Sequence, residues 1–127
     1  MKDFINWHSK KSKLDLIEQR PHFHEGEVWY ASLGLNIGYE QDGKGNEYLR
    51  PVLIIRKFNN DICWIVPLTH TEKNTIHYAH IKVLENESTA ILSQLKLLDA
   101  KRFSHIICKI SDEDFKLVTK KLKELIP

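Results

Sequence analysis

Two polar side chains stand at the ends of two apolar runs in this chain. Arg50 heads Pro51-Val52-Leu53-Ile54-Ile55, and Thr69 closes Val66-Pro67-Leu68. If the runs are neighbouring antiparallel strands, both groups fall at one edge of a sheet. A guanidinium is a permanently charged fork of donors, and a hydroxyl both donates and accepts. Such a pair is suited to holding a phosphate. Each residue also has an ordinary alternative: a surface arginine before a strand, and a β-branched residue ending one.

The elements that must position the pair follow from pattern. Residues 3–20 read as a short helix, with Phe4, Trp7, Leu14 and Ile17 roughly on one face and Pro21 closing it. Residues 27–33 (Glu-Val-Trp-Tyr-Ala-Ser-Leu) have strand composition. Four of the five glycines then fall between Gly34 and Gly45, which predicts a long loop of the kind that often carries function. Residues 51–58 and 62–68 read as a hairpin about Asn59-Asn60-Asp61. A second polar loop covers 70–78, followed by a strand at 80–84 and a turn at 85–88. Residues 89–98 form a strand-like run interrupted by Gln94, and 103–110 add one more strand. The C-terminal segment is a helix that Ser111 can cap, with Asp114 three residues on. Phe115, Val118, Leu122, Leu125 and Ile126 make its apolar stripe.

Composition bounds the function. The chain has 127 residues, 42% of them hydrophobic, which suits one folded domain. Nineteen Lys and Arg against seventeen Asp and Glu leave +2, far from the charge of a dedicated nucleic-acid binder, although lysines cluster locally at 10–13 and 120–123. Cys63 and Cys108 sit in apolar strand-like runs and read as buried free thiols. No cysteine spacing suggests zinc, and no cofactor or metal is expected. No stretch is long and apolar enough for a membrane span, so a soluble cytoplasmic protein is expected. Short strands with helices at the ends predict an α+β fold built on a small antiparallel barrel or half-open sheet.

Five motifs, in order, resemble the MazF/PemK toxins. Gly26-Glu27-Val28-Trp29 is similar to their first strand, and Gly38-Tyr39-Glu40-Gln41-Asp42-Gly43 to their Gly-x-Glu-Gln-x-Gly loop. Arg50-Pro51 is similar to their Arg-Pro strand, and Pro67-Leu68-Thr69 to the end of the next. Ser88 to Arg102, with Leu92, Gln94, Leu98, Asp99 and Arg102, resembles their Ser-x-x-x-Leu-x-Gln and Leu-Asp-x-x-Arg signature. The resemblance covers residues 26 to about 125, and it leaves residues 1–25 as an N-terminal helical extension to a domain at 26–127. It implies an SH3-like barrel with a C-terminal helix, a homodimer and a cognate antitoxin. It further implies endonucleolytic cleavage of single-stranded RNA without metal, leaving a 2′,3′-cyclic phosphate and a 5′-hydroxyl. The loop before Arg50 is longer than in compact members of that family.

For such chemistry the substrate's own 2′-hydroxyl attacks phosphorus, and most of the catalysis is positioning and electrostatics. Arg50 would neutralise the phosphorane, and Thr69 would donate to a non-bridging oxygen. Glu40 is the candidate general base or orienting carboxylate. Gln41, Tyr39, Tyr48, His70 and Gln94 are the candidate RNA contacts. Tyr39 and Tyr48 would stack on unpaired bases, and His70 adds a possible acid–base group beside Thr69. Gln94 equally suits a structural role, and Trp29 suits the core. The pairs His22/His24 and His77/His80 have spacings a metal could use, but read as surface histidines. A different class stays open: a non-catalytic binding protein on the same architecture, such as a gyrase-poisoning toxin or a silent regulator.

Overall fold

The computed structural model describes residues 4–15, 19–33, 49–71 and 75–127. The glycine-rich segment and its Tyr39, Glu40, Gln41 and Tyr48 lie outside them. Helix α1 runs over Phe4–Asp15, shorter than the expected 3–20. Arg20, ahead of Pro21, already lies outside any helix.

Among the described residues seven strands follow: β1 (Glu27–Ser32), β2 (Leu49–Lys57), β3 (Ile62–Thr69), β4 (Tyr78–Val83), β5 (Asn86–Ile91), β6 (Lys96–Asp99) and β7 (Phe103–Lys109). Helix α2 (Asp112–Glu124) closes the chain. All pairings are antiparallel, in the order β4-β5-β3-β2-β1-β7, with β6 also on β3. The result is a curled half-barrel with a C-terminal helix.

The β2–β3 hairpin turns where Asn59 Oδ1 accepts from the N–H groups of Asp61 and Ile62. This Asx geometry is why asparagine suits the turn. The strand-like run at 89–98 is not one strand. It divides into β5, a 3₁₀ turn at Leu92–Gln94, and β6. The preceding turn sits at Leu84-Glu85, earlier than the expected 85–88, with Leu84 at φ 58°.

The middle of β2 and the end of β3 are buried on both faces, which explains their unbroken apolar runs. Val52, Ile54, Cys63 and Ile65 join Trp29, Ala31, Leu98, Phe103 and Phe23 in one core. Their immediate neighbours Leu53 and Val66 point the other way, into a second core with Val28, Leu68, Ile81, Leu92, Ile110 and Val118. Each fully buried side chain of this size contributes about 1.5–3 kcal/mol over its exposed form. Trp29 stacks on Phe103 at 5.4 Å, so it is a core residue.

Helix α2 starts where Ser111 Oγ accepts from Asp114 N–H at 3.1 Å. Acidic residues fill its first turn and lysines its last, matching the helix dipole. Phe115, Val118, Leu122 and Leu125 seal the second core. Ile126, expected in that stripe, is instead 73% exposed, because the helix ends at Glu124. The helix also satisfies the edge strand: Asp114 Oδ2 accepts from Lys82 N–H (3.0 Å), and Lys121 Nζ donates to Tyr78 O (3.1 Å). Among the described residues no helix is long and apolar enough to cross a membrane.

Candidate functional site

Arg50 enters β2 with Ala31 of β1 as its register partner. On the other side, β2 meets β3 through Ile54↔Ile65, Leu53↔Val66 and Val52↔Pro67. Pro51 and Pro67 supply no N–H, and the β2–β3 ladder ends at Val52↔Pro67. The ladder stops there; extended two residues past its last pair, its register would bring Arg50 opposite Thr69, while Thr69 itself pairs with Thr89 of β5. Side chains alternate along a strand, so Arg50 lies on the Val52 face and Thr69 on the Pro67 face, which is one and the same face. Both residues are half-buried: anchored, yet within reach of solvent. The Nε atom of Arg50 is closed off from water.

Thr69 is held in place. Its Oγ1 accepts from Thr71 N–H at 3.2 Å, and its carbonyl accepts from Ser88 Oγ at 3.4 Å. Accepting through Oγ1 leaves the hydroxyl's own proton to donate elsewhere. His70, next in the chain, is exposed at the bend after β3. Gln94 is half-buried at the end of the 3₁₀ turn, on a different stretch of chain from Arg50 and Thr69.

Past Thr69 the row continues across the sheet. Thr69 pairs with Thr89 of β5, and Thr89 pairs with His80 of β4. The Thr89 hydroxyl lies 3.4 Å from His80 Nδ1. Sequence spacing set His80 beside His77 and gave no sign of this placement. Among the described residues, no group of three or more His, Cys, Asp or Glu stands together as a metal cluster.

A second set of polar contacts runs from the end of β1 to the β2–β3 turn. Arg102 Nη1 donates to Ser32 O at 3.1 Å, where β1 gives way to the glycine-rich segment. Its guanidinium also lies 5.6 Å from the Trp7 ring centre. Burial draws the Arg102 pKa below the usual arginine value, opposed by Asp99. Asp99 accepts two parallel hydrogen bonds from Arg20, at 2.9 and 3.0 Å. Arg20 also stands 3.5 Å from Asp61. The hydrogen bond from Arg20 holds the Asp99 carboxyl below its ordinary value, burial opposing, and the Lys101 N–H also favours the charged form. Local pattern could not have found Arg20, because its partner is 79 residues away.

This topology defines a small antiparallel half-barrel capped by a C-terminal helix. Residues 24–126 match the family described as PemK-like, MazF-like toxin of type II toxin-antitoxin system, and the chain belongs to that family. The match begins at residue 24, so α1 lies before it. MazF from Deinococcus radiodurans superposes with a TM-score of 0.67, covering 86% of this chain and 98% of that one at 17% identity. An endoribonuclease from Mycobacterial species gives 0.63, covering 84% and 93% at 13% identity. An endoribonuclease from Mycobacterial species in complex with its cognate antitoxin gives 0.61, covering 84% and 97% at 13% identity. These likenesses concern the fold. A search of curated proteins finds no match.

Proposed function

We propose that this toxin is a metal-independent endoribonuclease that cuts single-stranded RNA by attack of the 2′-hydroxyl, leaving 2′,3′-cyclic phosphate and 5′-hydroxyl ends. The observation that carries this reading is the shared face of Arg50 and Thr69 at the end of the β2–β3 ladder. In this reading the Arg50 fork bridges two phosphate oxygens and meets the charge that grows on the phosphorane. Thr69, oriented by Thr71 N–H, donates its proton to a non-bridging oxygen. Glu40 takes the proton from the attacking oxygen. Gln41, Tyr39, Tyr48, His70 and Gln94 contact the RNA strand.

The same reading makes the chain a cytoplasmic homodimer held in check by a cognate antitoxin, with residues 1–25 as an extension to a domain at 26–127. Exposed Phe58 and Trp64 pack edge to face at 5.0 Å, and Trp64 pairs with the exposed Leu97, giving an apolar patch that suits a second copy. A groove of about 680 Å³ beside α2, lined by Ile55, Leu95, Phe115 and Leu122 with Arg56 and Lys123 among its walls, suits an apolar and acidic antitoxin segment.

The test is cleavage of a long single-stranded RNA by purified protein in EDTA, with Arg50→Ala and Thr69→Ala as controls. Cleavage by wild type and its loss in both variants, with folding intact, support the reading. Intact RNA with wild type, at every concentration and sequence tried, would favour a non-catalytic binding protein.

A further inference from the structure

The family match starts at residue 24, beyond α1. Helix α1 is basic: it carries Lys10, Lys11 and Lys13 against a single carboxylate, Asp15. It is also fastened to the domain at a defined place. Trp7 is 8% exposed, and its ring centre lies 5.6 Å from the Arg102 guanidinium. Arg102 in turn donates to the carbonyl of Ser32, the last residue of β1. Nearer to β1, the paired hydrogen bonds from Arg20 to Asp99 and the fully buried Phe23 fix the path of the chain.

We propose, on the ribonuclease reading above, that α1 is a basic arm of the RNA groove, with Lys10 and Lys11 gripping phosphates that flank the one at Arg50. Arg50, Ala31 and Phe103 form one row across β2, β1 and β7. Val52, Ala31 and Phe103 all belong to the first core, so Arg50 lies on that face. Neighbouring strands stand about 4.8 Å apart, which puts the β7 end of the row roughly 10 Å from the backbone of Arg50. Arg102 immediately precedes that end, and Trp7 packs on Arg102.

The lysines are turned toward this seam. A helix advances about 100° per residue, so Lys10 and Lys11 point about 60° and 40° to either side of Trp7. Both flank the junction of α1 with the domain and not the far side of the helix. Lys11 is exposed and Lys10 half-buried. Among the described residues no carboxylate pairs with either. A polyanionic strand that runs from Arg50 toward Arg102 supplies the charge they lack. The arm acts on binding and leaves the bond-breaking step alone. Counterion release makes such contacts salt-dependent, and two of them add about 1.4 to the slope of log Kd against log salt for a single strand.

The experiment measures binding of a random-sequence 2′-O-methyl oligonucleotide, which cannot be cut for want of the attacking hydroxyl, across a salt series. The Lys10→Ala/Lys11→Ala double variant should bind about 25-fold more weakly than wild type at ~0.1 M salt and converge with it near ~1 M. On natural RNA it should raise KM with kcat little changed. Trp7→Ala, which unseats α1, should weaken binding in the same way. Lys116→Ala/Lys120→Ala, on the exposed side of α2, should leave affinity and slope as they are. Unchanged affinity in the α1 lysine variant, or an equal loss in the α2 variant, would overturn the arm. Faster cleavage by Trp7→Ala would overturn it too, and make α1 a cover over the site. Each of these leaves the ribonuclease reading in place. A wild-type protein that binds the oligonucleotide through the α1 lysines yet cuts no RNA would overturn the ribonuclease reading and leave α1 an RNA-binding arm.

Discussion

Arg50 and Thr69 share one face at the end of the β2–β3 ladder, two residues beyond the last paired residues, Val52 and Pro67. The same prolines that mark the sequence end the pairing there, and both flanking side chains keep partial access to solvent. In the proposed reading, a phosphodiester entering from that end meets the Arg50 charge and the Thr69 hydroxyl. Arg50 pairs in register with Ala31 of β1, and Thr69 is held by Thr71 N–H, Ser88 Oγ and its pairing with Thr89.

Thr69→Val removes the hydroxyl and keeps the β-branched shape. We expect roughly a hundredfold fall in kcat, corresponding to about 3 kcal/mol of lost transition-state stabilisation, with KM little changed. Thr69→Ser should recover most of the rate. Steady-state kinetics on a defined RNA, with thermal melting to confirm folding, checks both. A valine variant as fast as wild type would remove Thr69 from the chemistry.

Arg20→Ala should lower the melting temperature at neutral pH, since Asp99 loses two charge-assisted hydrogen bonds. The sign follows from the lowered Asp99 pKa. A carboxyl depressed in the folded state adds stability above its unfolded pKa of about 3.9, and that stability is lost as pH falls through the folded value. The gap between wild type and variant should therefore be open at pH 7 and closed well below pH 3. Melting curves across that range decide it, and a gap independent of pH would refute the assignment.

Leu53→Ala should cost about 2–5 kcal/mol, because Leu53 is fully buried between Val28, Val66 and the α2 side of the sheet. Urea denaturation with an unchanged m-value measures it. A cost under 1 kcal/mol would mean that the second core collapses around the gap.

Burial pushes the Cys63 thiol up to about 12, with Asp99 adding to it. At pH 8 its thiolate fraction is roughly a thousandfold below that of an ordinary cysteine. Alkylation of native protein should label the half-buried Cys108 and spare Cys63 until the protein unfolds. Labelling of both at similar rates would contradict this.

The sequence made the strands legible where burial on both faces forced unbroken apolar runs, as in β2 and β3. It made α2 legible because Ser111 and Asp114 announce its start. It did not reveal that 89–98 breaks at Leu92–Gln94, since an apolar 3₁₀ turn and an apolar strand look alike in a short window. Arg50 at the head of one apolar run and Thr69 at the tail of another were readable as candidates. The row that joins Thr69, Thr89 and His80 was not readable, because it passes through two strand pairings that only the register reveals. Arg20 was hidden for the same reason: its partners Asp61 and Asp99 are remote in the chain.

The most direct test of the central claim is end-group analysis of RNA incubated with wild type and Arg50→Ala in EDTA. The account predicts discrete internal cuts by wild type, bearing 2′,3′-cyclic phosphate and 5′-hydroxyl termini, and at least a hundredfold fewer by the folded variant. Equal cutting by the two proteins, or 3′-hydroxyl and 5′-phosphate ends, would contradict it.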